Sequence, residues 1–295
     1  DPDKEWERLE KRKIKLMMPT DKDFPEMIKE IPSPPFGLYV RGNLEPALSA
    51  IAIVGTRKAT QEGQKISRQF GRELAEQGIV VVSGLALGID QAAHKGALEA
   101  KGKTVAVLAN GLDLIYPRQH ENLANQIIEN GGAVVSEYSI GTPPFPSNFL
   151  DRNRIISGLS YGIIVIEAPY GSGALCTAQY AIEQNREVFV VPGMISQSNY
   201  AGSHGLIKSG ASLVTHVNDI FESFNVPLVK KEKGKNINLT KNQQKVLNYI
   251  ENDGNSLNVD KITELTRLEP HVVNQTIAFL VINGIIKEDD GKYYL

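Results

Sequence analysis

Between residues 50 and 224 the apolar residues fall into short unbroken runs, separated by segments where they recur at helical spacing. The runs are Ile51–Val54, Ile79–Val82, Thr104–Leu108, Ala133–Val135, Gly162–Ile166, Glu187–Val191 and Ala211–Val214. Continuous β-branched runs without polar alternation mark strands covered on both faces. The segments Gln64–Gln77, Gln91–Ala100, Gln119–Asn130 and Leu175–Gln184 between them are of helix length. This alternation predicts an α/β core with a Rossmann-like, doubly wound, mostly parallel sheet and right-handed crossovers.

The flanks have other textures. Residues 1–46 are charged and dotted with proline, and Pro32, Pro34 and Pro35 should break any regular element before the extended run Gly37-Leu38-Tyr39-Val40. We expect an N-terminal extension over 1–46 that packs on a core of 47–224. Residues 225–239 carry Lys230, Lys231, Lys233 and Lys235 and read as a basic linker. Beyond it, Thr240 and Gln243 form a capping box at the start of one helix, Asn258 caps a second, and Pro270 suits the first turn of a third. Ile285–Lys287, the Asp290-Gly291 turn and Tyr293–Leu295 then read as a hairpin. Three helices and a hairpin predict a C-terminal winged-helix domain over 240–295.

Composition narrows the function classes. A 41% hydrophobic, 22% charged chain of 295 residues can bury substantial cores, and a net charge of −2 means that any nucleic-acid binding must come from a local patch. The single cysteine, Cys176, leaves no internal disulfide and no multi-cysteine zinc site. No apolar run is long enough to span a bilayer, and the charged first fifteen residues do not resemble a signal peptide. A cytoplasmic location is expected.

The candidate chemistry lies at strand ends. The first run leads into Gly55-Thr56-Arg57-Lys58-Ala59-Thr60, where a strand C-terminus meets a helix N-terminus whose free N–H groups and dipole favour an anion. It is neither a dinucleotide fingerprint nor a P-loop, and a plain turn with a solvated arginine is the competing reading. Glycine clusters recur at Ser83–Asp90, Asn110–Asp113 and Tyr170–Gly173, which suggests one broad edge for close backbone approach to a ligand. Phe149, Arg152 and Arg154 combine a ring for base stacking with guanidinium groups for phosphates. The alternative buries Phe149 in the core and places one arginine in an internal salt bridge.

Other signals have plainer readings. Gly158-Leu159-Ser160-Tyr161-Gly162 matches a hydrolase motif, but a helix precedes it and a strand follows, the reverse of what the motif needs. The five histidines show no metal-ligand spacing. Asp90, Asp113, Glu137 and Glu167 are expected to orient arginines or cap helices rather than perform acid/base work. The segment from Pro270 to Gly284 has no Lys or Arg, and 240–295 holds six basic residues against eight acidic. Protein contact is therefore favoured over duplex reading for that module.

Taken in order, these segments resemble the DprA (Smf) family of DNA-processing proteins. The motifs are Gly55-Thr56-Arg57, Ser83–Asp90 with His94, Gly111-Leu112-Asp113 with Tyr116-Pro117, Ser136-Glu137-Tyr138, and Phe149–Ser160. Ser172-Gly173 with Thr177-Ala178, Val191-Pro192-Gly193 and Leu206-Ile207 with Gly210-Ala211 complete the match over most of 30–222. The resemblance implies a non-enzymatic homodimer that binds and protects incoming single-stranded DNA and delivers it to the RecA recombinase in natural transformation. Arg57 would be a main phosphate ligand and Phe149 a stacking residue, with Arg152 and Arg154 lining the same groove. The implied DNA-binding set also includes Gly55, Thr56, Lys58, Gly84, Gly88, Asn153, Gly171, Ser172, Gly173 and Thr177. It implies no catalytic residue, metal or cofactor. Positions 87, 146 and 171, where the family often carries basic residues, are Leu, Pro and Gly. The missing charges should lower both affinity and its salt dependence.

The core also resembles the wider group containing the cytokinin-activating phosphoribohydrolases, so a nucleotide-binding enzyme or sensor is the alternative. Only part of that group's loop is matched by Tyr170–Thr177, and no equivalent of its catalytic glutamate stands out.

Overall fold

The computed structural model describes residues 2–45, 49–224, 239–253, 257–282, 285–289 and 292–294. The chain divides into two compact units, Asp1–Val226 and Pro227–Leu295. The first opens with α1 (Pro2–Lys11), β1 (Lys15–Met17), α2 (Glu26–Lys29) and β2 (Leu38–Gly42). Strands and helices then alternate through β3 (Ala50–Val54), α3 (Gln61–Glu76), β4 (Val80–Ser83), α4 (Ile89–Glu99), β5 (Thr104–Val107), α5 (Glu121–Glu129) and β6 (Ala133–Ser136). The series continues with α6 (Pro146–Gly158), β7 (Gly162–Val165), α7 (Gly173–Glu183), β8 (Glu187–Val190), α8 (Ala201–Lys208), β9 (Ser212–Leu213) and α9 (Val217–Ser223).

The nine strands form one sheet in the order β1-β2-β6-β5-β4-β3-β7-β8-β9. Strands β3 to β9 run parallel, while β1 and β2 are antiparallel additions beside β6. Every residue of β3, β4, β5, β6 and β7 is buried, as their unbroken apolar runs require. Successive side chains point to opposite faces. Ala52, Val54, Ile163 and Val165 pack with Ile155 and Ile156 of α6 and Ala174 and Ala178 of α7. Ala106, Leu108 and Val134 meet Leu123, Ala124 and Ile127 of α5. The sheet is thus Rossmann-like, with helices on both faces.

Residues 1–46 are more than an extension laid on this core. They supply two of its strands, and Met17, Phe24, Ile28, Ile31 and Leu38 join the same apolar cluster as β3 and α6. Phe24 and Ile28 are fully buried, worth about 1.5–3 kcal/mol each in transfer free energy. No regular element crosses Pro32, Pro34 and Pro35: α2 ends at Lys29 and β2 starts at Leu38.

The second unit contains α10 (Lys241–Asp253), β10 (Leu257–Asn258), α11 (Val259–Thr266), α12 (Pro270–Ile282), β11 (Lys287–Asp289) and β12 (Lys292–Tyr294). The three strands make an antiparallel sheet in the order β10-β12-β11. Both expected caps are present: Thr240 and Gln243 bond reciprocally, and the Asn258 side chain accepts from the Lys261 amide at 2.9 Å. Val246, Ile250, Ile262, Val273, Ile277 and Leu280 form the core of this unit. Most of the basic linker, and the Asp290-Gly291 turn, lie outside the described residues. No helix among the described residues is long and apolar enough to cross a membrane.

Candidate nucleic-acid interface

Strand order places the site. From β3 the chain builds outward through β4, β5 and β6, then returns to the other side of β3 with β7, β8 and β9. Val54 and Val165 are register partners at the ends of β3 and β7, so the loops that follow them start side by side and diverge. A crevice at such a reversal is the usual ligand position in an open parallel sheet. Here it holds a cavity of about 670 Å³. Its walls include Gly55, Thr56, Arg57 and Lys58 after β3, Phe149, Arg152 and Asn153 of α6, and Gly171, Ser172, Gly173 and Thr177 around the start of α7.

The loop after β3 is held by Glu167, a fully buried carboxylate just beyond β7. The Thr60 amide donates to Glu167 Oε2 at 3.0 Å, and the Thr60 hydroxyl donates to Oε1. Asn199 Nδ2 donates to Oε2 at 2.8 Å and to the Lys58 carbonyl at 3.2 Å, while the Tyr200 hydroxyl donates to Oε1 at 3.3 Å. Thr60 in turn caps α3 by accepting from the Gly63 amide at 2.9 Å, and a Cβ at Gly63 would overlap the Glu167 carboxylate. The N-terminus of α3, expected to receive a ligand anion, is therefore filled by the chain's own carboxylate. The side of the cavity open to a ligand is the turn before α7, where an added Cβ at Gly171 would meet open space and one at Gly173 only the Asn153 amide at 4.0 Å.

Helix α6 forms the facing wall. Phe149, Arg152, Asn153 and Ile156 are spaced i, i+3, i+4 and i+7, which puts them on one stripe. The Phe149 ring stacks under the exposed Arg57 guanidinium at 4.9 Å from its centroid and packs against Tyr116 at 5.6 Å. Such a cation–π contact contributes about 0.5–1 kcal/mol at an exposed site. Arg57 enters no salt bridge among the described residues. It points a free cation at the cavity.

Arg152 lies deeper. It is 4% exposed, donates to the Gly84 carbonyl at 2.9 Å and to the Val107 carbonyl, and is balanced by Asp90. Burial brings its pKa down to about 10, with Asp90 acting the other way and Arg57 adding to the fall. Asp90 accepts from the Gly84 and Ala86 amides at 3.0 and 3.4 Å, and its own pKa is raised by burial despite Arg152. Asn153 donates to the Gly173 carbonyl at 3.2 Å, and Thr177 to the same carbonyl at 3.3 Å, joining α6 to α7.

Three expected site residues do not line the cavity. Arg154 faces away and pairs through both nitrogens with Glu137 at 2.6 and 2.7 Å, with side-chain exposures of 14% and 17%. A step of two residues turns a helix by about 200°, so Arg152 and Arg154 leave α6 on nearly opposite faces. Gly84 and Gly88 serve close approach within the chain. A Cβ at Gly84 would sit 2.7 Å from the Arg152 guanidinium, and one at Gly88 would sit 2.5 Å from the Thr56 carbonyl. The cluster at Gly111 likewise backs onto the Ser139 carbonyl and contributes nothing to the cavity wall, whereas the other three glycine clusters each contribute lining residues, Ala86 and Asp90 from the one at Ser83–Asp90. Of the positions without the expected charge, Pro146 and Gly171 line the cavity and Leu87 does not.

Sequence reasoning passed over Tyr170, and over Asn199 and Tyr200 as supports of Glu167. An aromatic residue in a Pro-x-Gly turn with no apolar neighbours to join was the available signal for Tyr170. Ser160 donates to the Ile156 carbonyl at the end of α6, consistent with a helix terminus. Among the described residues there is no group of three or more His, Cys, Asp or Glu placed to hold a metal.

Residues 15–225 match the family model described as DNA recombination-mediator protein A. The chain is 46% identical over 209 residues to protein Smf of Escherichia coli, covering 70% of this chain and 56% of that protein. It is 42% identical over 205 residues to the DNA processing protein DprA of Streptococcus pneumoniae, covering 69% of this chain and 72% of that one. The crystal structure of the latter superposes with a TM-score of 0.68 at 40% identity, over 73% of this chain and 77% of that chain. DprA of Helicobacter pylori, for which a single-stranded DNA binding mode is described, gives a TM-score of 0.64 at 29% identity, over 72% and 95% of the two chains. The chain thus spans little more than half the length of the Escherichia coli protein it matches. On the extent of these matches and the shared fold, the chain belongs to the DprA/Smf family of DNA recombination-mediator proteins.

Proposed function

We propose that this chain binds single-stranded DNA in the crevice between the loops after β3 and β7. The observation that carries the reading is Arg57, an exposed cation with no salt-bridge partner among the described residues, held over the Phe149 ring at 4.9 Å from its centroid beside an open cavity. A flexible strand can place a phosphate against Arg57 and the amides of Gly171 and Gly173 while its bases stack outward on aromatic rings. The binding mode described for the Helicobacter pylori relative supports this reading.

The role is binding rather than turnover. The one carboxylate among the cavity-lining residues, Asp90, is already engaged by two backbone amides and Arg152, which disfavours the nucleotide-enzyme alternative. Protection of incoming DNA, delivery to RecA, homodimerisation and a cytoplasmic setting belong to the same proposal, supported by family membership. The three helices and three-stranded sheet of the second unit support a winged-helix reading. The absence of Lys and Arg between Pro270 and Gly284 supports protein contact rather than duplex reading for it.

The test is fluorescence anisotropy of labelled oligo-dT and the matched duplex across a salt titration. Arg57→Ala should weaken oligo-dT binding by roughly tenfold and reduce the salt slope by about one. Duplex binding equal to single-strand binding and untouched by the substitution would move the site elsewhere. Binding to neither, with cleavage of a nucleotide, would establish the enzyme reading instead.

A further inference from the structure

Tyr170 has no structural employment. Its side chain is 77% exposed, yet it lines the cavity. Among the described residues its ring meets no other ring and its hydroxyl makes no hydrogen bond. A large aromatic side chain held in water at the mouth of a binding crevice is a marker of contact with a ligand.

The backbone holds this ring in place. The Ser172 amide donates to the Pro169 carbonyl at 3.0 Å, closing a tight turn with Tyr170 and Gly171 at its centre. Gly171 sits at φ +74°, the left-handed geometry that the third position of a type II turn requires. On one side the turn is tied to α8 through the Ala168 amide, which donates to Ser203 Oγ at 3.0 Å. On the other, Ser172 caps α7 by accepting from the Ala174 amide at 3.3 Å. The ring is therefore presented from a fixed base on the β7 side of the crevice, while Arg57 stands after β3, Phe149 on α6 and Tyr116 after β5.

We infer that Tyr170 is a second base-stacking platform, so that the crevice holds two bases of one strand, one on Phe149 and one on Tyr170, with the intervening backbone over Gly171 and Gly173. This rests on the single-stranded DNA reading and deepens it. Open space at the Cβ position of Gly171, and no contact nearer than the Asn153 amide at 4.0 Å at that of Gly173, leave the sugar–phosphate chain room to approach. The cavity of about 670 Å³ falls within the range of ligand sites, about 300–1,000 Å³. Stacking is tolerant of base identity, so Tyr170 would add affinity without sequence preference.

The test compares Tyr170→Ala, Tyr170→Phe, Arg57→Ala and Phe149→Ala in the full chain, on oligo-dT and on an oligonucleotide with a tract of abasic sites. Tyr170→Ala should weaken oligo-dT binding by roughly 5- to 20-fold with an unchanged salt slope, because no phosphate contact is lost. Tyr170→Phe should restore wild-type affinity, and Tyr170→Ala should match wild type on the abasic tract. Unchanged oligo-dT binding by Tyr170→Ala, with Arg57→Ala and Phe149→Ala impaired, overturns the second platform and leaves the DNA reading standing. An equal loss on the abasic tract also overturns it, since the ring would then be supporting the turn. If none of the four substitutions weakens binding, the crevice reading falls, and this inference with it.

Discussion

Glu167 holds the Thr60 amide at 3.0 Å across 107 residues of sequence and takes the Thr60 hydroxyl as well, so one buried carboxylate fixes both loops that border the crevice. It occupies the N-terminus of α3 and leaves the turn before α7 as the open anion-facing edge. The backbone geometry at Arg57 and Lys58 thus depends on a residue that does not itself line the cavity.

Replacing Glu167 by Ala should destabilise the first unit by about 3 kcal/mol, because the Thr60, Asn199 and Tyr200 donors lose a shared buried acceptor. Oligo-dT affinity should fall with it, as the loop carrying Arg57 loosens. Urea unfolding and anisotropy on the same preparation check both effects. Wild-type stability in the variant would show that water or a neighbouring group satisfies these donors.

Arg154→Ala separates the two arginines of α6. It leaves Glu137 largely buried without its partner and should lower stability by about 2 kcal/mol, while oligo-dT affinity stays within about twofold of wild type. The double substitution Glu137→Gln/Arg154→Met should recover part of the stability. A large loss of DNA binding in a well-folded Arg154→Ala protein would put Arg154 in the groove after all.

The same substitution should have opposite signs in two helices. A Cβ at Gly96 of α4 would overlap the Arg68 carbonyl of α3, so Gly96→Ala should destabilise by about 2 kcal/mol despite better helix propensity. Gly205 of α8 has open space at its Cβ position, and Gly205→Ala should stabilise by about 0.5–1 kcal/mol. Paired denaturation midpoints decide both.

His94 is fully buried against Thr104 at 2.7 Å, and burial pushes its pKa from 6.5 to about 3, with His120 and Arg152 adding to the fall. Between those values the unfolded chain takes up a proton that the folded chain refuses. Stability contributed by neutral His94 is therefore complete above pH 6.5 and lost as pH falls, at about 1.4 kcal/mol per unit. Asp90, whose pKa is raised, acts in the opposite sense, so the variant comparison isolates the histidine. Between pH 6.5 and 5 the wild type should lose about 2 kcal/mol more than His94→Gln. Parallel pH profiles for the two proteins would show that His94 is not the responsible group.

Strands β3 to β7 were legible because a strand buried on both faces must be apolar at nearly every position, and such runs survive in any context. Caps at Thr240 and Asn258 were legible for a similarly local reason: the acceptor and the amide it satisfies lie within three residues. The crevice residues after β3 and on α6 could be nominated by type, an arginine beside glycine and a phenylalanine beside arginines. Strand β1 was hidden, since an antiparallel edge strand of three residues in a charged, proline-dotted segment carries too little pattern to register, whereas β2 coincides with the extended run Gly37–Val40.

Residue types along the chain therefore determined the layered α/β core and a pool of candidate cations, rings and glycines. The tertiary structure decided which of them meet. Helix phase sends Arg152 to the strand ends and Arg154 to Glu137, and strand order opens the crevice between β3 and β7. Glu167, reaching from the end of β7, closes the anion seat on α3. These outcomes depend on contacts between residues tens to more than a hundred positions apart. Local patterns carry no record of such contacts, because burial and pairing are set by what the rest of the chain brings alongside.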